Sequence, residues 1–261
     1  MVSFAFWALA ATVGTWLITA LGAATVLFFS APKPKTTNLM LGFAAGVMIA
    51  ASFWSLLQPA IGRCEALEQP AWLVATTGFL AGALFLWGTD RIVTYARGRD
   101  HSATHRTERI LMLVLSVTLH NIPEGLAVGV AFGALQGGCT PEELTGAICV
   151  AVGIGLQNFP EGAAVSLPLR REGWSRTRSF LMGQASGTVE PLAGLLGALA
   201  VTGTEALLPW ALSFAAGAMV LVAVHELIPE CQQNRSAHPY FATMGILLGF
   251  TAMMLLDVML G

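Results

Sequence analysis

The feature that most constrains this chain is the length of its apolar segments. The first 32 residues contain no Asp, Glu, Lys or Arg, and only 11% of all residues are charged, compared with about 25% in a soluble domain. A membrane span needs about 20 predominantly apolar residues. The pattern predicts an all-α integral membrane protein, with one transmembrane domain over residues 1–261. We expect eight spans, at about 4–30, 38–60, 71–95, 110–135, 143–169, 179–202, 207–229 and 239–260.

The basic residues lie almost entirely on one side of this predicted topology. If the N-terminus is outside, 12 of the 13 Lys and Arg residues fall in inner loops or at the adjoining helix ends, and only Arg63 falls outside. Because Lys and Arg concentrate in cytoplasmic loops, we expect the N- and C-termini to lie outside the cytoplasm. The expected surroundings are the lipid bilayer, and no basic patch indicates a nucleic-acid partner.

A short motif occurs twice inside the apolar segments. Residues 120–125 read His-Asn-Ile-Pro-Glu-Gly, and residues 157–162, which lie 37 positions later, read Gln-Asn-Phe-Pro-Glu-Gly. Each copy puts a histidine or an amide at position i and a carboxylate at i+4, on the same face of a helix. Each proline also leaves the carbonyl four residues back without its usual donor. Since neither segment contains Lys or Arg, we expect a divalent metal to supply the missing positive charge.

Three ionisable side chains, one histidine and two glutamates, fall at a similar depth in consecutive predicted spans. By the helical rise, His120 lies about 15 Å from the inner end of span 4 and Glu161 about 12 Å from the inner end of span 5; Glu190 is similarly deep in span 6. An ionisable side chain at the bilayer centre costs roughly 3 kcal/mol or more. The alternative to a metal site is a set of protonated glutamates hydrogen-bonded between helices, but this would leave the repeated Pro-Glu-Gly unexplained.

Two sets of candidate ligands follow from these positions. Nitrogen, carboxylate and amide donors together suit zinc and the neighbouring first-row divalent ions. The first set is His120, Glu124, Gln157 and Glu161. The second set is Asn121, Asn158 and Glu190, with Glu161 as a possible bridge.

Other polar residues could extend a cation path beyond the centre. A possible exit on the inner side comprises His225, Glu226, Asp90, His101 and His105, and a possible entrance near the outer end of span 8 is Asp257. Ordinary roles remain open: Asp90 could pair with Arg91 or cap a helix, the loop histidines could be solvated, and Asp257 could be an interfacial acid.

Internal similarity indicates an inverted repeat. The sequence Phe-Ala-Ala-Gly at residues 43–46 recurs at residues 214–217, and twelve positions separate Gly78 from Asp90 and Gly245 from Asp257. The paired spans run in opposite directions, which predicts three helices, a central pair and three helices. Transporters often have this 3+2+3 design, with the site at mid-membrane. Spans 1 and 6 match only weakly, at Thr12-Val13 and Thr188-Val189.

With these motifs the chain resembles the ZIP (Zrt/Irt-like) divalent metal transporters, of the bacterial-type branch with short loops. The resemblance covers nearly the whole chain. It rests on the two Pro-Glu-Gly motifs, with support from residues 40–46, Glu190-Pro191 and residues 225–230. It implies eight helices, a binuclear site built from the two ligand sets, and uptake of Zn²⁺, often also Fe²⁺, Mn²⁺ or Cd²⁺, toward the cytoplasm. It further implies an elevator-like shift of one bundle against another, a homodimer, and a location in a bacterial inner (plasma) membrane. Ligand softness alone would also admit Co²⁺.

One residue departs from the expected pattern. The resemblance leads us to expect Asp or another stronger ligand at the position of Asn158. An amide there removes one negative charge, so we predict that the second site binds metal weakly or only transiently.

The same side chains bear on three other classes of function. A metal-selective channel could use the same ligands. A proton-coupled carrier of another solute would leave the His120/Gln157 pairing unexplained. An intramembrane metalloenzyme is disfavoured, because the zinc-protease signature His-Glu-x-x-His is absent: His225-Glu226 is followed by Pro229 in place of the second histidine.

Overall fold

The computed structural model describes residues 2–29, 34–96, 105–137, 139–171, 173–201, 205–233 and 240–260, and all their regular secondary structure is helical. The α-helices are α1 (Val2–Phe28), α2 (Pro34–Ala51), α3 (Gln58–Ala66), α4 (Ala71–Ala96), α5 (His105–Gly133), α6 (Pro141–Arg171), α7 (Arg176–Ser186), α8 (Val189–Val201), α9 (Leu208–Val222), α10 (Ile228–Gln233) and α11 (Tyr240–Leu260). The predicted all-α class is confirmed.

Six helical segments of the described residues are long and apolar enough to cross a membrane. They are Phe4–Phe28, Pro34–Ala66, Ala71–Thr89, Pro141–Arg170, Leu208–Gln232 and Tyr240–Met259. These segments coincide with predicted spans 1, 2, 3, 5, 7 and 8, and they confirm a membrane protein. Predicted span 4 falls within α5, and predicted span 6 is divided between α7 and α8. The eight-span arrangement therefore stays a prediction.

Predicted span 6 is not one continuous helix. Helix α7 ends at Ser186, Gly187 and Thr188 form a turn, and α8 begins at Val189. The turn is closely packed: a β-carbon on Gly187 would lie 3.0 Å from Glu190 Oε1 and 3.2 Å from Thr19 Cγ2. The break places Glu190 in the first turn of α8, where the helix dipole stabilises a negative charge.

Prolines also interrupt regular α-helix in the second and seventh predicted spans. Residues Ser52–Leu57 form a π-helical segment between α2 and α3, and Ala223–Leu227 form another between α9 and α10. Each segment is followed by a proline, Pro59 or Pro229, whose ring cannot donate to the carbonyl four residues earlier. Such wide turns are frequent at functional sites.

Helix α6 begins with a capping box. The Glu143 backbone N–H donates to Thr140 Oγ1 at 3.2 Å, and the Thr140 N–H donates to a Glu143 carboxylate oxygen at 3.1 Å. These bonds satisfy donors that a helix start leaves free. The Glu143 carboxylate also forms an ion pair with Arg63 of α3, which gives a partner to the basic residue that falls outside the predicted inner side.

Four helix pairs pack together extensively: α1 with α6, α5 with α8, α2 with α11, and α4 with α9. Glycines permit the close approach. A β-carbon on Gly82 of α4 would overlap the Phe214 carbonyl oxygen of α9, and one on Gly249 of α11 would overlap the Phe43 carbonyl oxygen of α2. Small residues at crossings are typical of helix association in membranes.

Candidate metal site

The polar residues of the repeated motifs lie inside the helix bundle. Asn121 and Glu124 come from α5, Gln157 and Asn158 from α6, and all four are completely buried. Glu161 of α6 is 4% exposed, and Glu190 of α8 is also completely buried. Residues from three helices thus form a polar cluster in an otherwise apolar interior.

A hydrogen bond joins two members of the first predicted ligand set. Gln157 Nε2 donates to Glu124 Oε1 at 2.6 Å, which connects α6 to α5. The other oxygens of these two side chains, Glu124 Oε2 and Gln157 Oε1, have no hydrogen-bond partner. Each residue therefore keeps one buried oxygen free to bind a cation.

Glu161 has no hydrogen-bond partner on either carboxylate oxygen. It lies close enough to Glu124 and Glu190 that the three carboxylates would repel one another if they were all ionised without a counter-charge. The ion pair recorded among the described side chains joins Arg63 and Glu143, so it does not neutralise this cluster. Buried polar atoms without partners are uncommon and need an explanation, such as an ion.

The two motif asparagines are each held through their amide nitrogen. Asn121 Nδ2 donates to the Ser186 carbonyl oxygen at 2.9 Å, just before the break that separates α7 from α8. Asn158 Nδ2 donates to the Thr15 carbonyl oxygen at 3.2 Å and to Glu190 Oε2 at 2.9 Å. The side-chain oxygens of both asparagines have no partner, so they are also available to a cation.

Glu190 is surrounded by donors, in contrast to Glu161. Its Oε2 accepts from the Thr15 hydroxyl at 2.5 Å and from Asn158, and its Oε1 accepts from the Thr19 hydroxyl at 3.2 Å. Sequence reasoning missed both threonines of α1. The available signal was their spacing of four residues in an apolar segment, which puts two hydroxyls on one helix face.

His120 lies in α5 one turn before Glu124, and its side chain is outside the described part of the structure. The described side chains contain no group of three or more His, Cys, Asp or Glu positioned to hold a metal ion. Apart from His120, the first predicted ligand set therefore consists of the carboxylates of Glu124 and Glu161 and the amide oxygen of Gln157.

The predicted entrance residue Asp257 contacts the first π-helical segment. Its Oδ1 accepts from the Ser55 hydroxyl at 2.7 Å, and its Oδ2 is buried without a partner. This contact links α11 to the segment between α2 and α3.

The predicted exit residues are placed only in part. His225 is exposed and Glu226 is partly buried, both in the second π-helical segment. Asp90 lies in α4, and His105 is the first residue of α5 instead of a loop residue; their side chains are outside the described part. His101 lies outside the described residues altogether.

The structure combines membrane-spanning helices, buried carboxylates and amide oxygens without partners. Such buried polar groups are typical of membrane proteins that transport ions. The sequence pattern of the family described as ZIP Zinc transporter matches residues 3–110 and 102–257. The chain therefore belongs to the ZIP zinc transporter family, as its motifs predicted. This membership makes it a transporter of metal ions and not an enzyme.

Relatives from vertebrates and bacteria match over nearly the full length. Zinc transporter ZIP11 of Xenopus tropicalis is 39% identical, over 96% of this chain and 96% of the relative. Zinc transporter ZIP11 of Homo sapiens is 37% identical, over 99% and 98%. Zinc transporter GufA of Myxococcus xanthus is 38% identical, over 93% and 94%.

Proposed function

We propose that this protein carries Zn²⁺ across a bacterial inner (plasma) membrane toward the cytoplasm, through a site between α5, α6 and α8. The first metal would be bound by His120, Glu124, Gln157 and Glu161. The second would be bound by Asn121, Asn158, Glu161 and Glu190. The observation that carries the proposal is the set of buried side-chain oxygens without partners, which belong to Asn121, Glu124, Gln157, Asn158 and Glu161.

Zinc is favoured as cargo on two grounds. The relatives are named as zinc transporters, and a His nitrogen combined with carboxylate oxygens suits Zn²⁺. The same donors also accept Fe²⁺, Mn²⁺, Co²⁺ and Cd²⁺, since selectivity within this series depends on geometry and metal supply.

The proposed architecture is eight spans in a 3+2+3 inverted repeat, and the helix pairing supports it. Exchanging the two halves turns the pair α2/α11 into α9/α4 and the pair α1/α6 into α8/α5, and all four of these pairs pack extensively. The contacts of Gly82 with Phe214 and of Gly249 with Phe43 are equivalent under this exchange. A site between α5 and α6 would then lie at the centre of the repeat, where transporters bind their substrates.

Glycines of the two motifs support the same symmetry for the first and sixth spans. A β-carbon on Gly162 would overlap the Thr19 carbonyl oxygen, and one on Gly125 would overlap the Glu190 carbonyl oxygen. These two contacts match Thr19 of the first span to Glu190 of the sixth, which lies 171 positions later. Phe43 and Phe214, matched in the second and seventh spans, are also 171 positions apart. The weak match of Thr12 to Thr188 corresponds to a different register, with a separation of 176 positions.

We place the entrance at Asp257 and Ser55 and the exit near His225 and Glu226. Asp257 keeps one buried oxygen free beside Ser55, where it would take an ion from the outer side. Transport toward the cytoplasm is the direction that the resemblance to ZIP transporters implies. The predicted orientation, in which nearly all Lys and Arg residues are cytoplasmic, puts Asp257 near the outer side and His225 and Glu226 near the inner side.

The proposal is tested by uptake of radioactive zinc into vesicles that contain the purified protein. Wild type should show saturable uptake, Glu161→Ala should lose it, and Glu142→Ala should retain it. Glu142 is a matched control because it is an exposed acid at the start of the same helix.

Each other outcome has a definite meaning. Uptake that persists in Glu161→Ala would place the pathway elsewhere. Flux that rises without saturation would indicate a channel. Tight zinc binding without any uptake by the wild type would reject zinc transport.

A further inference from the structure

Two buried carboxylates of the cluster, Glu161 and Glu190, differ in the hydrogen bonds that they receive. Glu161 receives no hydrogen bond, whereas Glu190 receives three, from Thr15, Thr19 and Asn158. Both are almost completely buried, so solvent exposure does not explain the contrast. A carboxylate offers about four acceptor positions, and protein donors therefore occupy most of those on Glu190.

We propose that Thr15 and Thr19 are positioning residues, here called the threonine clamp, that hold Glu190 and so keep the zinc affinity of the second site low. The proposal rests on the zinc transport proposed above. A lone pair that accepts a hydrogen bond cannot simultaneously ligate a metal. Zinc must therefore displace Thr15 or Asn158 before it binds to Glu190 Oε2, and it must compete with Thr19 at Oε1. It meets no such competition at Glu161.

Asn158 completes this arrangement. Its amide nitrogen donates to Glu190 Oε2, while its side-chain oxygen has no partner. An aspartate at this position could not donate the bond and would repel Glu190. The asparagine that replaces the expected ligand therefore acts with the clamp, because it supplies a third protein donor to the Glu190 carboxylate.

The clamp is held rigidly in place. Thr15 and Thr19 lie one turn apart on α1, and α1 is fixed against α6 where the Thr19 carbonyl meets Gly162. Thr19 also packs against the α7–α8 turn, at Gly187. Glu190 leaves the same turn in the first turn of α8, so its carboxylate and the two hydroxyls are positioned by packed backbone.

The experiment is zinc titration of the purified protein, by calorimetry and by metal content per chain. Wild type should bind one zinc tightly and a second more weakly. Thr15→Val, which removes the hydroxyl and keeps the side-chain volume, should bind the second zinc about tenfold more tightly, because a bond to a charged acceptor is lost only from the metal-free state. Thr15→Ser, which keeps the hydroxyl, should restore the wild-type titration.

Thr12 provides the matched control. It is a buried threonine on the same helix, but its hydroxyl donates to a backbone carbonyl oxygen, with Ala8 at 2.8 Å as the nearer acceptor and Leu9 at 3.1 Å as the other, and not to Glu190. Thr12→Val should leave the second zinc affinity unchanged. If Thr15→Val does not fold, Thr19→Val tests the same idea with the same readout, since Thr19 donates to the other oxygen of Glu190.

The outcomes separate this inference from the transport function. A second zinc that binds no more tightly to the valine variants than to wild type would overturn the clamp, as would equal titrations of Thr15→Val and Thr15→Ser. If wild type also transports zinc and Glu161→Ala does not, the proposed function stands without the clamp. Absence of zinc uptake by the wild type would reject the function itself.

Discussion

Replacing Gly162 by alanine should both destabilise the bundle and impair transport. A β-carbon at this position would lie 2.8 Å from the Ala23 backbone nitrogen, compared with 3.4 Å for ordinary van der Waals contact. The Ala23 contact alone requires helix α6 to move away from α1 by about 0.6 Å, the difference between these two distances, and the overlap with the Thr19 carbonyl oxygen requires more. Overpacking of this kind typically costs about 1–3 kcal/mol of folding free energy.

The displacement also acts on the adjacent ligand, Glu161. Binding sites tolerate positional errors of only about 0.5 Å, and in enzymes a misplacement of about 1 Å can cost 100-fold in rate. We expect Gly162→Ala to lower the rate of zinc uptake by roughly tenfold, together with a lower thermal unfolding midpoint.

Gly146 supplies the control, because it lies on the same helix and a β-carbon there would meet nothing within 4 Å. Gly146→Ala should unfold at the wild-type temperature or above it, since alanine favours helix, and should transport normally. The two measurements are thermal unfolding in detergent and zinc uptake in vesicles. If Gly162→Ala matched Gly146→Ala in both, the packing argument would be refuted.

Two further substitutions test individual contacts. Gln157→Leu removes the donor to buried Glu124, so it should cost about 1.5–3 kcal/mol of stability and abolish zinc uptake; an unfolding midpoint equal to wild type would contradict this. Arg63→Gln breaks a partly exposed ion pair with Glu143, so it should cost less than about 1 kcal/mol. The unfolding midpoint measured across a salt series should show this loss shrinking at high salt, and Arg63→Lys should retain most of the stability; a loss of several kcal/mol would show that the pair has a larger role.

Much of the fold was predictable because a membrane imposes its own pattern on sequence. The apolar segments of the first, second, third, fifth, seventh and eighth predicted spans correspond to helices that could cross a membrane. The duplicated Pro-Glu-Gly also identified the family, because a proline and a glutamate in an apolar helix are both costly there. These signals are local, since each depends on residues within one helix.

The break between α7 and α8 was not predictable in this way. The sequence pattern predicts one span over residues 179–202, although the first part, which contains Gln184, Ser186 and Thr188, is less apolar than residues 189–201. Helix propensity alone does not fix the end of a helix at Ser186. The packing at Gly187 is tight, because a β-carbon there would lie 2.9 Å from Trp16 Cδ1, 3.0 Å from Glu190 Oε1 and 3.2 Å from Thr19 Cγ2. Only the assembled bundle supplies that constraint.

The sequence by itself determined the membrane class, the family and the helices that carry the acidic and amide side chains. The tertiary structure decided how those side chains are partnered. Nothing in the sequence predicts that Glu161 and Glu190 differ in their hydrogen bonds, yet one receives no hydrogen bond and the other receives three. The donors Thr15 and Thr19 lie 175 and 171 positions from Glu190, and contacts over such distances arise only when α1 packs beside α8.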